Sequence, residues 1–209
     1  MYELASDGPS TPVPTLRPSP AEQQWFACYT RARHEKQVVA RLQLHRIESF
    51  CPVLPRQRQW HDRVKVIEWP LFPSYVFVRC AKSTLSRVLG TPGIVTVVSS
   101  NGAPVPIDAE EIENVRRFAA ALRASGERVE PVPLVERGTR VRIISGPFVG
   151  VEGLVIEHRG RNRVLVGLEA IAQSWEIEVP AACMEPIRES RPVFGGSVRR
   201  AERGRRSYV

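Results

Sequence analysis

The chain has 209 residues, a net charge of +8, 43% hydrophobic and 25% charged residues, enough for one large domain or two small ones with a real core. No run approaches the roughly 20 apolar residues that cross a bilayer. Glu3 and Asp7 precede any basic residue, which does not read as a signal peptide, so a cytoplasmic protein without membrane contact is expected. Four cysteines at 28, 51, 80 and 183 form no CxxC pair, so they read as reduced structural thiols, with neither metal nor disulfide. Residues 25–80 carry ten Arg or Lys against four Asp or Glu, and residues 188–209 carry seven against two. Positive charge concentrated this way suits a polyanion such as nucleic acid.

Residues 1–22 contain five prolines among Ser, Thr and Gly and read as a disordered lead. Trp25-Phe26-Ala27-Cys28-Tyr29-Thr30 reads as a strand buried on at least one face. Val38, Val39, Leu42 and Leu44 form a rough helical stripe within 33–46. Residues 48–53 return to an extended pattern, limited by Pro52 to an edge or a strand end. Residues 56–68 alternate basic and apolar types as a ribbon with one wet face. Pro70-Leu71-Phe72-Pro73 is a rigid apolar corner, and 74–79 is a strand with Tyr75 and Phe77 on one face. Ser83 can cap a short helix ending near Gly90. Thr91-Pro92-Gly93 is a turn, and 94–98 is β-branched. Asp108 and Glu111 resemble a capping box before a helix striped by Ile112, Val115, Phe118, Ala119 and Leu122.

Residues 125–134 have two prolines and no stripe, and read as a linker. From 135 to 188 the chain is strand-like: 139–145, 153–158, 163–169 and 175–179 are short runs between Gly, Pro or polar turns, the pattern of a small barrel. Residues 189–209 read as a disordered basic tail. The expected architecture is α+β: an antiparallel sheet flanked by helices over 23–124, then a small β-barrel.

Two blocks carry a resemblance. Residues 25–30 with Arg33-His34-Glu35-Lys36, then Trp69-Pro70-Leu71-Phe72-Pro73-Ser74-Tyr75-Val76-Phe77-Val78 and Thr91-Pro92-Gly93-Ile94, resemble the N-terminal domain of the NusG-type transcription elongation factors. Gly138 to Gly153 resembles a KOW motif, which implies an SH3-like barrel. Arg33-His34-Glu35-Lys36, Gln59-Trp60-His61-Asp62-Arg63 and the 70–73 corner are similar to the specialised UpxY-type antiterminators of surface-polysaccharide operons and to RfaH.

The resemblance implies docking on the clamp helices of the largest RNA polymerase subunit through Phe72, Tyr75 and Phe77. Aromatic side chains give large contact area at low entropy cost, although all three also suit an ordinary sheet core. A second polymerase contact, with a gate loop, aligns with Thr84, Leu85 and Ser86. This chain has Leu85 in the middle of that motif and lacks the family's histidine there. Contact with the non-template DNA strand aligns with Arg31, Arg33, His34 and Lys36, where phosphate neutralisation and base stacking would supply affinity. Arg56, Arg58, Arg63 and Lys65 are secondary candidates for that role. In housekeeping relatives the barrel meets the small ribosomal subunit or Rho through an exposed phenylalanine, and Glu169 stands near that position here, against a Rho contact. The RfaH barrel can refold as a helical hairpin over the clamp-binding patch, whereas Pro147 and the glycines of 138–167 argue for strands.

The expectation is therefore a monomeric antitermination factor that suppresses pausing or termination on particular operons. A housekeeping elongation and Rho-termination factor is the main alternative, and an RNA- or ribosome-binding KOW protein is the other. HExxH, GxSxG and a phosphate-binding Gly-Lys-Ser/Thr loop are all missing from the sequence, and four scattered histidines form no general base. No enzyme activity and no cofactor are expected.

Overall fold

The computed structural model describes residues 23–59, 63–133, 138–158 and 161–187. The proline-rich lead, the basic tail and Trp60-His61-Asp62 lie outside the described residues.

A continuous apolar run, Trp25-Phe26-Ala27-Cys28, buried on both faces, makes the first strand. β1 (Gln23–Thr30) is followed by α1 (Glu35–Leu44), β2 (Glu48–Phe50), the ribbon of β3 (Val53–Gln59) and β4 (Val64–Pro70), and β5 (Tyr75–Ala81). Next come α2 (Leu85–Leu89), β6 (Ile94–Val97), the short pair β7 (Ser99–Ser100) and β8 (Ala103–Pro104), β9 (Pro106–Ile107) and α3 (Ala109–Ser125). The main sheet has the order β2-β5-β1-β6, with β9 also on β1. Its pairings are antiparallel, as expected.

Period-two alternation gives this sheet two different faces. Phe26, Cys28, Val76 and Val78 pack with Val38 and Leu42 of α1 and Leu85 and Val88 of α2. Trp25, Ala27, Phe72 and Phe77 join Ile112, Val115, Phe118 and Leu122 of α3. The stripe on α3 is the one read from the sequence. Asp108 caps it by accepting the Glu110 N–H at 3.0 Å, and Gly126 ends it in the left-handed conformation (φ 69°), where the missing Cβ relieves the clash.

The C-terminal unit is β10 (Glu130–Pro133), β11 (Thr139–Ile143), β12 (Glu152–His158), β13 (Arg161–Leu168), β14 (Gln173–Glu178) and β15 (Met184–Pro186). They form one antiparallel sheet in the order β10-β14-β13-β12-β11-β15. This is the strand-rich unit expected of a KOW domain. Pro147 lies between β11 and β12, and no helix forms among the described residues there apart from single 3-10 turns.

Two local readings change. Residues 130–133 are a strand rather than part of a linker: β10 pairs with β14 at the end of the sheet, an edge position that tolerates Pro131 and Pro133. Ser83 does not cap α2. It lies inside a 3-10 turn, and Thr84 is the N-cap without a side-chain bond. Glu111, three residues after the Asp108 cap, lies among the charges of Glu169, Asp108 and Arg140.

Candidate functional site

The corner predicted from Pro70 and Pro73 exists. Leu71 N–H donates to the Pro52 carbonyl at 2.7 Å, and Tyr75 N–H donates to the Phe72 carbonyl at 3.2 Å. Ser74 between them is left-handed (φ 65°). This bend brings Phe72 and Tyr75 to the sheet face that carries Ala27 and Phe77. Phe72 meets Phe77 edge-on at 5.8 Å, a favourable aromatic geometry.

The three expected docking residues do not share one environment. Phe77 is 0% exposed and packs on Phe50 and Phe72, so it supports the face from beneath. Phe72 is 1% exposed, and part of its cover comes from the barrel: Trp175 of β14 meets it edge-on at 6.5 Å. Tyr75 is half-buried at the rim. Beside it stands Tyr29, 42% exposed, with its ring 5.5 Å from that of Tyr75. Tyr29 was not picked out from the sequence. Its signal was the strand alternation, which puts it on the face of Trp25 and Ala27, while Tyr75 arrives opposite it by register.

The barrel is seated on this face and on α3. The two units share one apolar core that includes Phe72, Phe118, Leu168 and Trp175, and Phe118 of α3 meets Phe148 of the barrel at 5.9 Å. A polar clasp fixes the register. The Asn114 side-chain amide donates to the Glu152 carbonyl at 2.7 Å and its oxygen accepts the Glu152 N–H at 2.8 Å. One side chain thereby satisfies both backbone groups of a barrel residue. Close by, Glu111 is pushed up to about 7 by burial first, then by the charges of Glu169 and Asp108, with Arg140 acting against them. Glu169 opens the 3-10 turn of 169–171, so the loop considered for barrel partners lies near α3.

The second polymerase contact is corrected in its middle residue. Leu85 is 5% exposed and belongs to the core under α1, because helical spacing sets it with Val88 against the sheet. Thr84 is half-buried and Ser86 exposed.

The basic cluster is brought together only in part. Arg31 and Arg33 are exposed in the turn before α1, and His34 is half-buried, with Nδ1 enclosed and without a hydrogen-bond partner. Lys36 is not a free cation: its ammonium lies 2.6 Å from Glu68 at the base of the ribbon, a partner 32 positions away. On the ribbon, Arg56 lies over Trp69 at 5.4 Å, a cation–π contact.

Residues 23–116 match the family model described as "Transcription termination factor nusG". The Thermus thermophilus transcription termination/antitermination protein NusG is 27% identical over 166 residues, covering 68% of this chain and 88% of that one. The Staphylococcus carnosus protein of the same description is 30% identical over 173 residues, covering 75% of this chain and 92% of its own. The chain belongs to the NusG family. Among solved structures, "Domain interaction in Thermotoga maritima NusG" matches with a TM-score of 0.43 and 24% identity, covering 80% of this chain and 99% of that one. Membership gives the N-terminal sheet and its 70–78 corner a shared ancestry with transcription factors. It does not place the chain in the UpxY or RfaH branch.

Proposed function

We propose that this NusG-family chain is a transcription elongation and antitermination factor, a binding protein rather than an enzyme. It docks on the clamp helices of the largest RNA polymerase subunit through the sheet face of Phe72 and Tyr75, extended by Tyr29. One observation carries the reading: aromatic residues gather on a sheet face where Trp175 of the chain's own barrel covers part of Phe72. Aromatic anchors of this kind dominate protein interfaces. Phe77 and Leu85 contribute as core, whereas Thr84 and Ser86 remain surface candidates for a second polymerase contact. Arg31 and Arg33, with His34 beside them, face the non-template DNA strand, and Lys36 contributes less because Glu68 holds it.

Polymerase docking then requires the barrel to leave. The masking element is the β-barrel itself rather than a helical hairpin. The same opening frees the 169–171 turn from α3, which makes a ribosome contact through the barrel conditional on polymerase engagement. The protein acts as a monomer, since its own second domain fills the face.

Opening is pH-dependent through Glu111. Its folded value is raised to about 7 by burial and by Glu169, so the closed form holds a proton that an exposed carboxyl gives up near its ordinary value. Closure is therefore favoured at low pH and weakens as pH rises from about 4.5 through about 7, with a slope of at most about tenfold per unit for one proton. Glu111→Gln should flatten that dependence and keep the domains closed at pH 8. Chemical-shift titration of Trp175 checks this, and an unchanged slope in the variant would remove Glu111 from the account.

The ribbon and the basic turn before α1 support action on particular operons. The relatives named as transcription termination/antitermination proteins are equally consistent with housekeeping use. Chromatin occupancy decides between them. The operon-specific reading expects enrichment confined to one or a few transcription units with long leaders, and even occupancy of all transcribed genes would contradict it.

A further inference from the structure

The bend between the two docking aromatics is held from outside the sheet. Ser74 sits at φ 65°, a conformation that L-residues other than Gly, Asn and Asp avoid. Its carbonyl accepts the Thr30 N–H at 2.8 Å. Its own N–H donates to Oε1 of Glu35 at 2.8 Å. Glu35 is the first residue of α1 and is only 5% exposed. A buried carboxylate directed at one backbone amide is a strong, directional hydrogen bond.

Glu35 is itself held in place. The turn before it runs through Arg33 at φ 65° and is closed by His34 N–H donating to the Arg31 carbonyl at 3.1 Å. Arg31 N–H in turn donates to the Gly93 carbonyl at 2.9 Å. Gly93 has φ 103°, and a Cβ there would stand 2.9 Å from Val38 Cγ2, so only glycine lets the 91–93 turn lie so close to α1. Three chain segments (31–35, 72–75 and 91–93) therefore interlock at one end of the sheet.

We infer that Glu35 is a positioning residue for polymerase docking: through the Ser74 amide it fixes the left-handed bend that sets Phe72 and Tyr75 relative to each other. This rests on the docking reading above. It also makes the basic turn at 31–34 and the aromatic corner a single rigid unit, so the two surfaces meet polymerase and DNA at a fixed separation.

The test uses the full chain carrying Asn114→Ala, which should uncover the docking face by removing the clasp to Glu152. Two readouts are taken: amide exchange at residues 72–75, and affinity for core RNA polymerase. Adding Glu35→Ala should speed exchange at Ser74 and Tyr75 about tenfold or more and weaken polymerase binding by a similar factor. Glu35→Gln should keep most of both, since its amide oxygen still accepts. Adding Ser74→Gly to Glu35→Ala should restore binding without restoring the carboxylate, because glycine adopts the bend unaided. Unchanged exchange and affinity in Glu35→Ala would overturn the inference. So would a loss of binding that Ser74→Gly fails to rescue, accompanied by faster exchange throughout α1, which would make Glu35 a general support of the domain. If the Asn114→Ala parent is open by amide exchange and still does not bind polymerase, the docking reading fails and takes the functional role of Glu35 with it. Exchange at Ser74 still reports separately whether Glu35 holds the bend.

Discussion

A Phe72→Ala variant should lose its closed form and still fail to bind RNA polymerase. Phe72 is 1% exposed and stands between Phe77 at 5.8 Å and Trp175 at 6.5 Å. Truncating a buried phenylalanine costs about 3–5 kcal/mol where the site cannot collapse. Here the loss falls partly on the sheet core and partly on the contact with the barrel, so closure weakens. The open form then presents a face without its central anchor, and loss of an interface anchor typically costs at least about 2 kcal/mol, roughly 30-fold in affinity. Increased mobility of Trp175 by fluorescence anisotropy, together with absent polymerase binding in a pull-down, is the expected pair. Opening with full-strength polymerase binding would remove Phe72 from the docking surface.

Asn114→Ala should do the opposite for binding. Its side chain makes two hydrogen bonds to the backbone of Glu152, at 2.7 and 2.8 Å. Without it the closed form leaves a peptide N–H and carbonyl unsatisfied, each costing about 1–3 kcal/mol when buried. A combined loss of roughly 2–6 kcal/mol lowers the closure constant at least about 30-fold. Binding affinity is reduced by the fraction of molecules that are competent, so the variant should bind polymerase more tightly than the parent, with no docking residue altered. An unchanged closed population by relaxation or exchange measurements would show that the clasp is dispensable.

The contrast between these variants reflects what could be read along the chain. The strand at 25–30, the proline-bounded corner, the α3 stripe and the Gly- and Pro-separated strands of the barrel are local patterns, and they reappear as β1, the 71–75 bend, α3 and β11–β14. The corner announced its aromatics because Pro70 and Pro73 frame them. What escaped was decided by distant partners. Lys36 looked like a free cation until Glu68 arrived from the ribbon. Leu85 looked like a surface motif residue, yet the sheet buries it. Tyr29 is one aromatic among several in its strand, and only the register with Tyr75 marks it. Glu35 stands in the sequence only as part of the Arg33-His34-Glu35-Lys36 block, yet it turns inward to the Ser74 amide.

The seating of the barrel was the least legible feature. It depends on Phe72 meeting Trp175 and on Asn114 meeting Glu152, pairs separated by 103 and 38 positions, and no periodicity in either segment announces them. Asn114 lies within a helix whose apolar stripe is complete without it. β10 was hidden for a different reason: its two prolines suppress strand propensity, and only an edge position makes them acceptable.

In the proposed mechanism the face beneath the barrel is the face that meets polymerase. Binding of core RNA polymerase to the Asn114→Ala protein, compared with the Phe72→Ala/Asn114→Ala protein, tests it most directly. Asn114→Ala should bind at least about tenfold more tightly than the parent, and adding Phe72→Ala should reduce that binding by roughly 30-fold or more. Equal, tight binding by both variants would contradict it.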